Sequence, residues 1–151
     1  MQAQLIDTAV IANQQPSITE PLAPCVSEPI ATLEQWQAHT VYTAVQVSPA
    51  EDITPLLAKV DQLTLIDVHF QDFNDGRGFS IARKLREAGF CGELRASGNY
   101  LPDQLQFLNR CGFNAFLLPG STSRERAQSA LRELNVFYQR NPTDIATLST
   151  T

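Results

Sequence analysis

The hydrophobic pattern of this chain changes character near residue 30. Before that point short apolar stretches such as LIDTAVIA alternate with Gln, Pro and Ser, and Pro16, Pro21, Pro24 and Pro29 break up the space between them. Proline removes a backbone donor and clashes with the preceding turn, so no helix settles there. The pattern predicts an irregular N-terminal arm over 1–30, with one strand within 4–12. Beyond it, short β-branched runs alternate with segments of helical period, the mark of βα units and a parallel sheet. Strands are expected at 41–47, 63–70, 93–97 and 114–118, and helices at 51–61, 78–88, 101–110 and 122–139. Pro102 stands in a first helical turn, and Gly89 and Gly112 stand where left-handed C-caps belong. Residues 31–140 therefore read as one α/β domain and 141–151 as a flexible tail.

Within the strands, one set of alternating positions is apolar (Ile66, Val68, Phe70; Leu94, Ala96) and the other polar (Gln46; Asp67, His69; Glu93, Arg95, Ser97). One face of the sheet is polar. A doubly wound sheet carries helices on both faces and has continuously apolar strands, whereas sequential strands with right-handed crossovers put every helix on one side. The expected fold is four sequential βα units in a parallel sheet, resembling half a TIM barrel. The alternative is a flavodoxin-like three-layer sheet with Glu93 and Arg95 on an edge strand.

Composition narrows the function classes. The chain has 151 residues and a net charge of −5, unevenly spread: 1–58 hold six acids and no Lys or Arg, while 59–151 hold eleven bases against ten acids. Bases interleaved with acids on a negative chain exclude nucleic-acid binding. No basic leader and no apolar run of membrane-spanning length is present, so the reading is a soluble protein without a membrane. The three cysteines, Cys25, Cys91 and Cys111, form no CxxC or CxxxH pair, which fits a reducing cytoplasm. They read as small buried apolar residues. Phe73, Phe79, Phe90, Phe107, Phe113 and Phe116 read as core. The helix expected at 78–88 has Phe79, Ile81, Ala82 and Leu85 on the side packed on the sheet and Arg83, Lys84, Arg86 and Glu87 mostly on the other.

All seven glycines lie between Gly76 and Gly120, together with Asp75, Arg77, Arg83, Arg86, Arg95 and Arg110. Glycine permits close backbone approach, and arginine suits bidentate anion contacts. Ligands bind at the carboxyl ends of parallel strands, where three loops converge here: Gln71 to Ser80, Ser97 to Asn99 with Asp103 and Gln104, and Pro119 to Ser123. Candidate binding residues are Gly76, Arg77, Gly78, Ser80, Arg95, Gly98, Asp103 and Gln104. The plain alternative is that Asp75 or Ser80 caps the helix and Arg77 is solvated. Asp67, His69, Glu93 and Arg95 share a face of neighbouring strands, and His69 is the best candidate proton carrier, with Asp75 as a second candidate base. No second His or Cys stands at ligand spacing to His69, so no metal is expected. A lone GxG without a P-loop or a ribose-binding acid implies no nucleotide, and no cofactor motif is present.

The runs DGRGFSIARKLRE, GELRASG, DQLQFLNRCGFNAF and NVFYQ together resemble the bacterial family catalogued as domain of unknown function 934, over about residues 35–139. Members are often encoded beside sulfite reductase and other sulfate-assimilation genes. The resemblance points to Asp75, Gly76, Arg77, Gly78, Ser80, Arg83, Arg86, Glu93, Arg95, Gly98, Asp103, Gln104, Arg110, Cys111, Gly112 and Phe113. Where many relatives have Pro-Lys this chain has Gln71-Asp72, and where they often have an acid after the last strand it has Leu118-Pro119. The resemblance implies a cytoplasmic accessory factor in assimilatory sulfite reduction, binding a small anion or a partner such as sulfite reductase. Two further readings stand beside it. One is an enzyme on a small anionic or phosphorylated metabolite with His69 or Asp75 as general base. The other is a self-associating interaction module, expected to form a homodimer.

Overall fold

Short apolar runs that end at polar or glycine-bearing turns become the strands of one sheet. The computed structural model of the chain describes residues 4–7, 29–39, 41–120 and 122–132. Its strands are β1 (Gln4–Asp7), β2 (Ala31–Thr32), β3 (Ala44–Val47), β4 (Leu65–Phe70), β5 (Glu93–Gly98) and β6 (Ala115–Leu118). Between and after them run α1 (Leu33–Ala38), α2 (Thr54–Leu57), α3 (Arg77–Glu87), α4 (Leu105–Cys111) and α5 (Arg124–Arg132). The expected tail over 141–151 and most of the arm lie outside the described residues.

The strand order is β1-β6-β5-β4-β3-β2. Strands β2 to β6 are parallel and each pairs with the next in sequence, while β1 lies antiparallel on the outer edge of β6. This is the sequential arrangement, with one more parallel strand than the sequence suggests. A flavodoxin-like sheet requires the order to reverse partway, and here it does not. The apolar positions of one face (Val45, Val47, Ile66, Val68, Phe70, Leu94, Ala96, Phe116, Leu118) form one core with Trp36, Leu56, Ile81, Leu85, Leu105, Leu108, Ala127 and Leu131 from the helices. Phe70 is its centre, with ring centroids of Phe79, Phe113 and Tyr100 at 5.8, 6.0 and 6.4 Å.

Several elements differ from the expectation, each for a local reason. The helix expected at 51–61 is the single turn of α2 followed by a 3-10 turn at Val60–Gln62. Asp52 accepts hydrogen bonds from both the backbone N–H and the hydroxyl of Thr54, a turn that delays the helix start, and Lys59 at φ −135° ends it. The strand expected at 41–47 begins only at Ala44, because pairing with β4 begins there and Val41 stands exposed in a turn. The helix expected at 101–110 starts as a 3-10 turn, Pro102–Gln104, before α4. α5 is described only to Arg132, so the rest of the helix expected to 139 lies outside the described residues. The α1 helix was not anticipated, although Thr32 and Gln35 form a reciprocal capping box at its start.

Three side-chain readings also change. Arg86, expected on the solvent side of α3, turns inward: Nε donates to the Gly112 carbonyl (2.9 Å) and Nη1 to those of Phe90 (2.8 Å) and Gly92 (3.0 Å). One guanidinium thereby ties the end of α3 to the starts of β5 and β6, and burial pulls its pKa down to about 10. Cys111 is buried as expected, but Cys91 is exposed, and Cys25 lies outside the described residues. Phe73 and Phe107 are not core: they are 45% and 52% exposed. Phe73 falls in the turn after β4, and Phe107 lies on the outer side of α4, its ring tilted 41° to that of Phe79 with centroids 5.0 Å apart.

Candidate functional site

The carboxyl ends of β4, β5 and β6 open onto a cleft of about 330 Å³ lined by Gln71, Asp72, Phe73, Asn99, Tyr100, Leu101 and Pro119. Each wall continues a strand. After β4 the Asp72 carboxylate accepts the Asn74 N–H (3.0 Å), an Asx turn that folds the loop over and leaves Phe73 outward. After β5, Asn99 Nδ2 donates to the Gln71 carbonyl (3.0 Å) and the Asn99 N–H donates to the Phe70 carbonyl (2.7 Å), so the β4 and β5 loops are stitched together. Gln104 extends the stitching: Oε1 accepts the Leu101 N–H (2.9 Å) and Nε2 donates to the Phe73 carbonyl (2.9 Å). Tyr100 is buried in the floor, and its hydroxyl donates to the Leu117 carbonyl (2.8 Å) on β6. Burial drives its phenol further above the ordinary range, so it is a fixed donor.

The expected binding residues separate into two groups around this cleft. Gln104 frames it, and Asp103 stands exposed beside it. Gly98, at φ +85°, shapes the exit of β5, and a Cβ there would run into the Phe70 carbonyl. Gly78 is buried at the start of α3 because a Cβ would occupy the place of the Phe70 ring, so its role is packing. Gly76 meets open space, and Ser80 is exposed on α3.

Asp75 and Arg77 close on one another. Arg77 Nε and Nη2 donate to the two carboxylate oxygens (2.9 and 2.7 Å), and Asp75 also accepts the Arg77 backbone N–H at the first turn of α3. The arginine holds the Asp75 carboxyl below the usual range, while the 65% exposed guanidinium faces water. Asp75 so satisfies one free N–H of the first turn from the position before the N-cap, which is Gly76 and carries no side-chain cap bond. Arg95 is engaged by Glu93, two residues back on β5, with Nε and Nη2 both donating to Oε1 (3.1 and 2.7 Å).

The polar face of the sheet holds a second arrangement. Gln46, Asp67 and Arg95 stand side by side on β3, β4 and β5, and His69 stands beside Ser97. Asp67 Oδ2 accepts from Gln46 Nε2 (2.7 Å) and from the Ser97 hydroxyl (2.9 Å), and His69 Nδ1 lies 3.0 Å from that same hydroxyl. A hydroxyl has one proton to donate. With that proton directed to Asp67, His69 carries its hydrogen on Nδ1 and donates it to Ser97. The other Asp67 oxygen is buried with no partner, and burial raises the pKa of this carboxyl against the pull of its two donors.

The sequence pointed to the strand ends where this cleft lies but did not mark Phe73, Tyr100 and Leu101 as its walls. Their signal was apolar character inside an otherwise polar loop, which reads equally as core. Among the described residues no group of three or more His, Cys, Asp or Glu is placed to hold a metal ion, and no helix is long and apolar enough to cross a membrane.

The fold and cleft define a parallel α/β protein built from sequential βα units, with its loops gathered at the carboxyl edge of the sheet. The family model described as "Bacterial protein of unknown function (DUF934)" matches residues 44–148, and the chain belongs to that family. No curated protein and no solved structure matches the chain at a significant level.

Proposed function

We propose that the protein is a cytoplasmic accessory factor of assimilatory sulfite reduction that acts by binding a partner polypeptide at the carboxyl edge of its sheet. The observation that carries this reading is the cleft itself, whose walls expose Phe73 and Leu101 to 45% and 43% on a rigidly stitched base. Exposed apolar side chains on a fixed frame favour association with another protein. A small anion is favoured less, because Arg77 and Arg95 are each engaged by a neighbouring carboxylate and neither lines the cleft. The sulfite-reduction setting rests on the resemblance to proteins encoded beside sulfite reductase, which makes that enzyme or another sulfate-assimilation protein the expected partner. The test is growth of a deletion strain on sulfate as sole sulfur source, complemented with variants. Phe73→Ser with Leu101→Ser is expected to fail and Arg77→Ala to support growth; wild-type growth of the uncomplemented strain would remove the setting altogether.

One observation favours a second reading, an enzyme with His69 as general base. The line from His69 through Ser97 to the buried Asp67 is suited to holding one tautomer of the imidazole. Asp75 suits the role of base less, with both oxygens on Arg77. His69→Gln abolishing turnover of a small anionic substrate, with the fold intact, is the result this reading requires.

A further inference from the structure

The carboxyl-edge cleft carries a charge pattern as well as an apolar one. In the three stretches that build it and its rim, 71–77, 99–104 and 119–120, the charged residues are Asp72, Asp75, Asp103 and Arg77. Arg77 is consumed by Asp75. Among the described residues neither Asp72 nor Asp103 is in an ion pair, and both are exposed, one in the β4 loop and the other beside Leu101. The rim is thus net negative around two exposed apolar walls. The volume, about 330 Å³, is at the low end of small-molecule pockets, which run to about 1,000 Å³.

We infer that this cleft receives a single large apolar side chain of a partner polypeptide, carried on a segment with Lys or Arg on either side of it. The inference rests on the docking reading above and adds the chemistry of the occupant. The apolar side chain enters between Phe73 and Leu101, and the flanking cations face Asp72 and Asp103. Burial of the anchor supplies affinity, while the exposed carboxylates chiefly accelerate encounter and select against acidic segments. Backbone groups for orienting the segment are present, since the loops carry carbonyls at Gln71 and Phe73 whose donors come from Asn99 and Gln104 and which have a second lone pair each.

Three capped synthetic peptides test this against the intact chain by fluorescence polarisation and amide chemical shifts: one with Leu between two Lys, one with Leu between two Glu, and one with Ser between two Lys. The first is expected to bind alone, to shift the amides of 71–73 and 99–101, and to weaken as salt is raised. Asp72→Asn keeps the oxygen that caps the Asn74 N–H. It and Asp103→Asn should each lower affinity about two- to fivefold, the worth of an exposed charge pair. Glu87→Lys, at the far end of α3, makes a larger change in net charge and should leave affinity unaltered.

Equal or tighter binding of the acidic peptide, binding of the Ser peptide at the Leu peptide's affinity, or no binding of any of the three overturns the inference. So does light scattering that shows a dimer dispersed by Phe73→Ser with Leu101→Ser, because the occupant is then a second copy of the chain. If the peptides fail while that double variant still abolishes growth on sulfate, the docking reading survives and only the assigned occupant falls. If the peptides bind and the double variant grows normally, the cleft chemistry stands and its role in sulfite reduction falls.

Discussion

Arg77 is bound through two of its nitrogens to Asp75, the residue two positions before it, and the pair sits on the first turn of α3 pointing to water. An arginine already satisfied by a neighbouring carboxylate gains little from an added anion. Arg77→Ala is therefore expected to leave the thermal transition unmoved and to leave the protein without a response to sulfite, sulfate or phosphate, as in the wild type. A stabilisation of the wild type by one of these ions that the variant loses would restore the anion reading.

Gly78 and Phe70 define the tightest approach between helix and sheet. Adding a methyl at 78 forces the Phe70 ring into Phe79, Phe113 or Tyr100. Gly78→Ala should lower unfolding stability by about 1–3 kcal/mol, the usual cost of overpacking. Gly98→Ala should cost about 1–2 kcal/mol from its positive φ alone, with the contact on the Phe70 carbonyl added. Urea unfolding measures both, and a neutral Gly78→Ala would contradict the packing role.

Asp67 gives a pH dependence with a definite sign. Its folded-state pKa lies above the unfolded value of 3.8, so its neutral form is the one the fold favours. The stability associated with that form is complete below 3.8 and is lost as pH rises through the folded pKa. Asp67→Asn removes the titration and keeps an oxygen for Gln46 and Ser97. The difference in stability between variant and wild type should therefore move in favour of the variant from pH 3 to pH 7. A difference that is flat, or that moves the other way, would show that the buried carboxyl finds compensation for its charge.

Arg86 holds three carbonyls that belong to the starts of two strands and a helix cap. Arg86→Ala should cost about 2–3 kcal/mol, since charge-assisted bonds of this kind contribute 1.5–3 each and do not add. Arg86→Lys should recover only part of this, because an ammonium lacks the fork that reaches Gly112 and Phe90 together. A fully rescued lysine variant would mean that charge alone matters there.

The sheet was legible because its signal is a period. Ile66, Val68 and Phe70 alternate with Asp67 and His69, and no other secondary structure places those sets on opposite faces. The α3 helix was legible for the same reason, and Gly112 at φ +118° caps α4 where expected. The α2 region was not, because the Asp52 turn and the break at Lys59 are decided by single side-chain and backbone events. Arg86 was misplaced by a helical wheel that counts it polar, although its guanidinium lies over the Phe90 ring, 5.3 Å from the centroid, and finds its partners among buried carbonyls. The cleft was half legible: glycine and polar loops pointed to the end of the sheet where it lies, but whether Phe73 turns in or out depends on the Asp72 turn.

The antiparallel strand β1 joins residues 4–7 to residues 115–118. Every other strand finds its neighbour within a few dozen residues, so the parallel sheet can assemble progressively as the chain is synthesised. The β1–β6 pair is the exception, since segment 4–7 is made first and its partner only more than a hundred residues later. Until that long-range pair closes, the β6 edge, Ala115 to Leu118, is open to other chains. Its closure ends the exposure, which makes segment 4–7 this sheet's own guard against sticking to its neighbours.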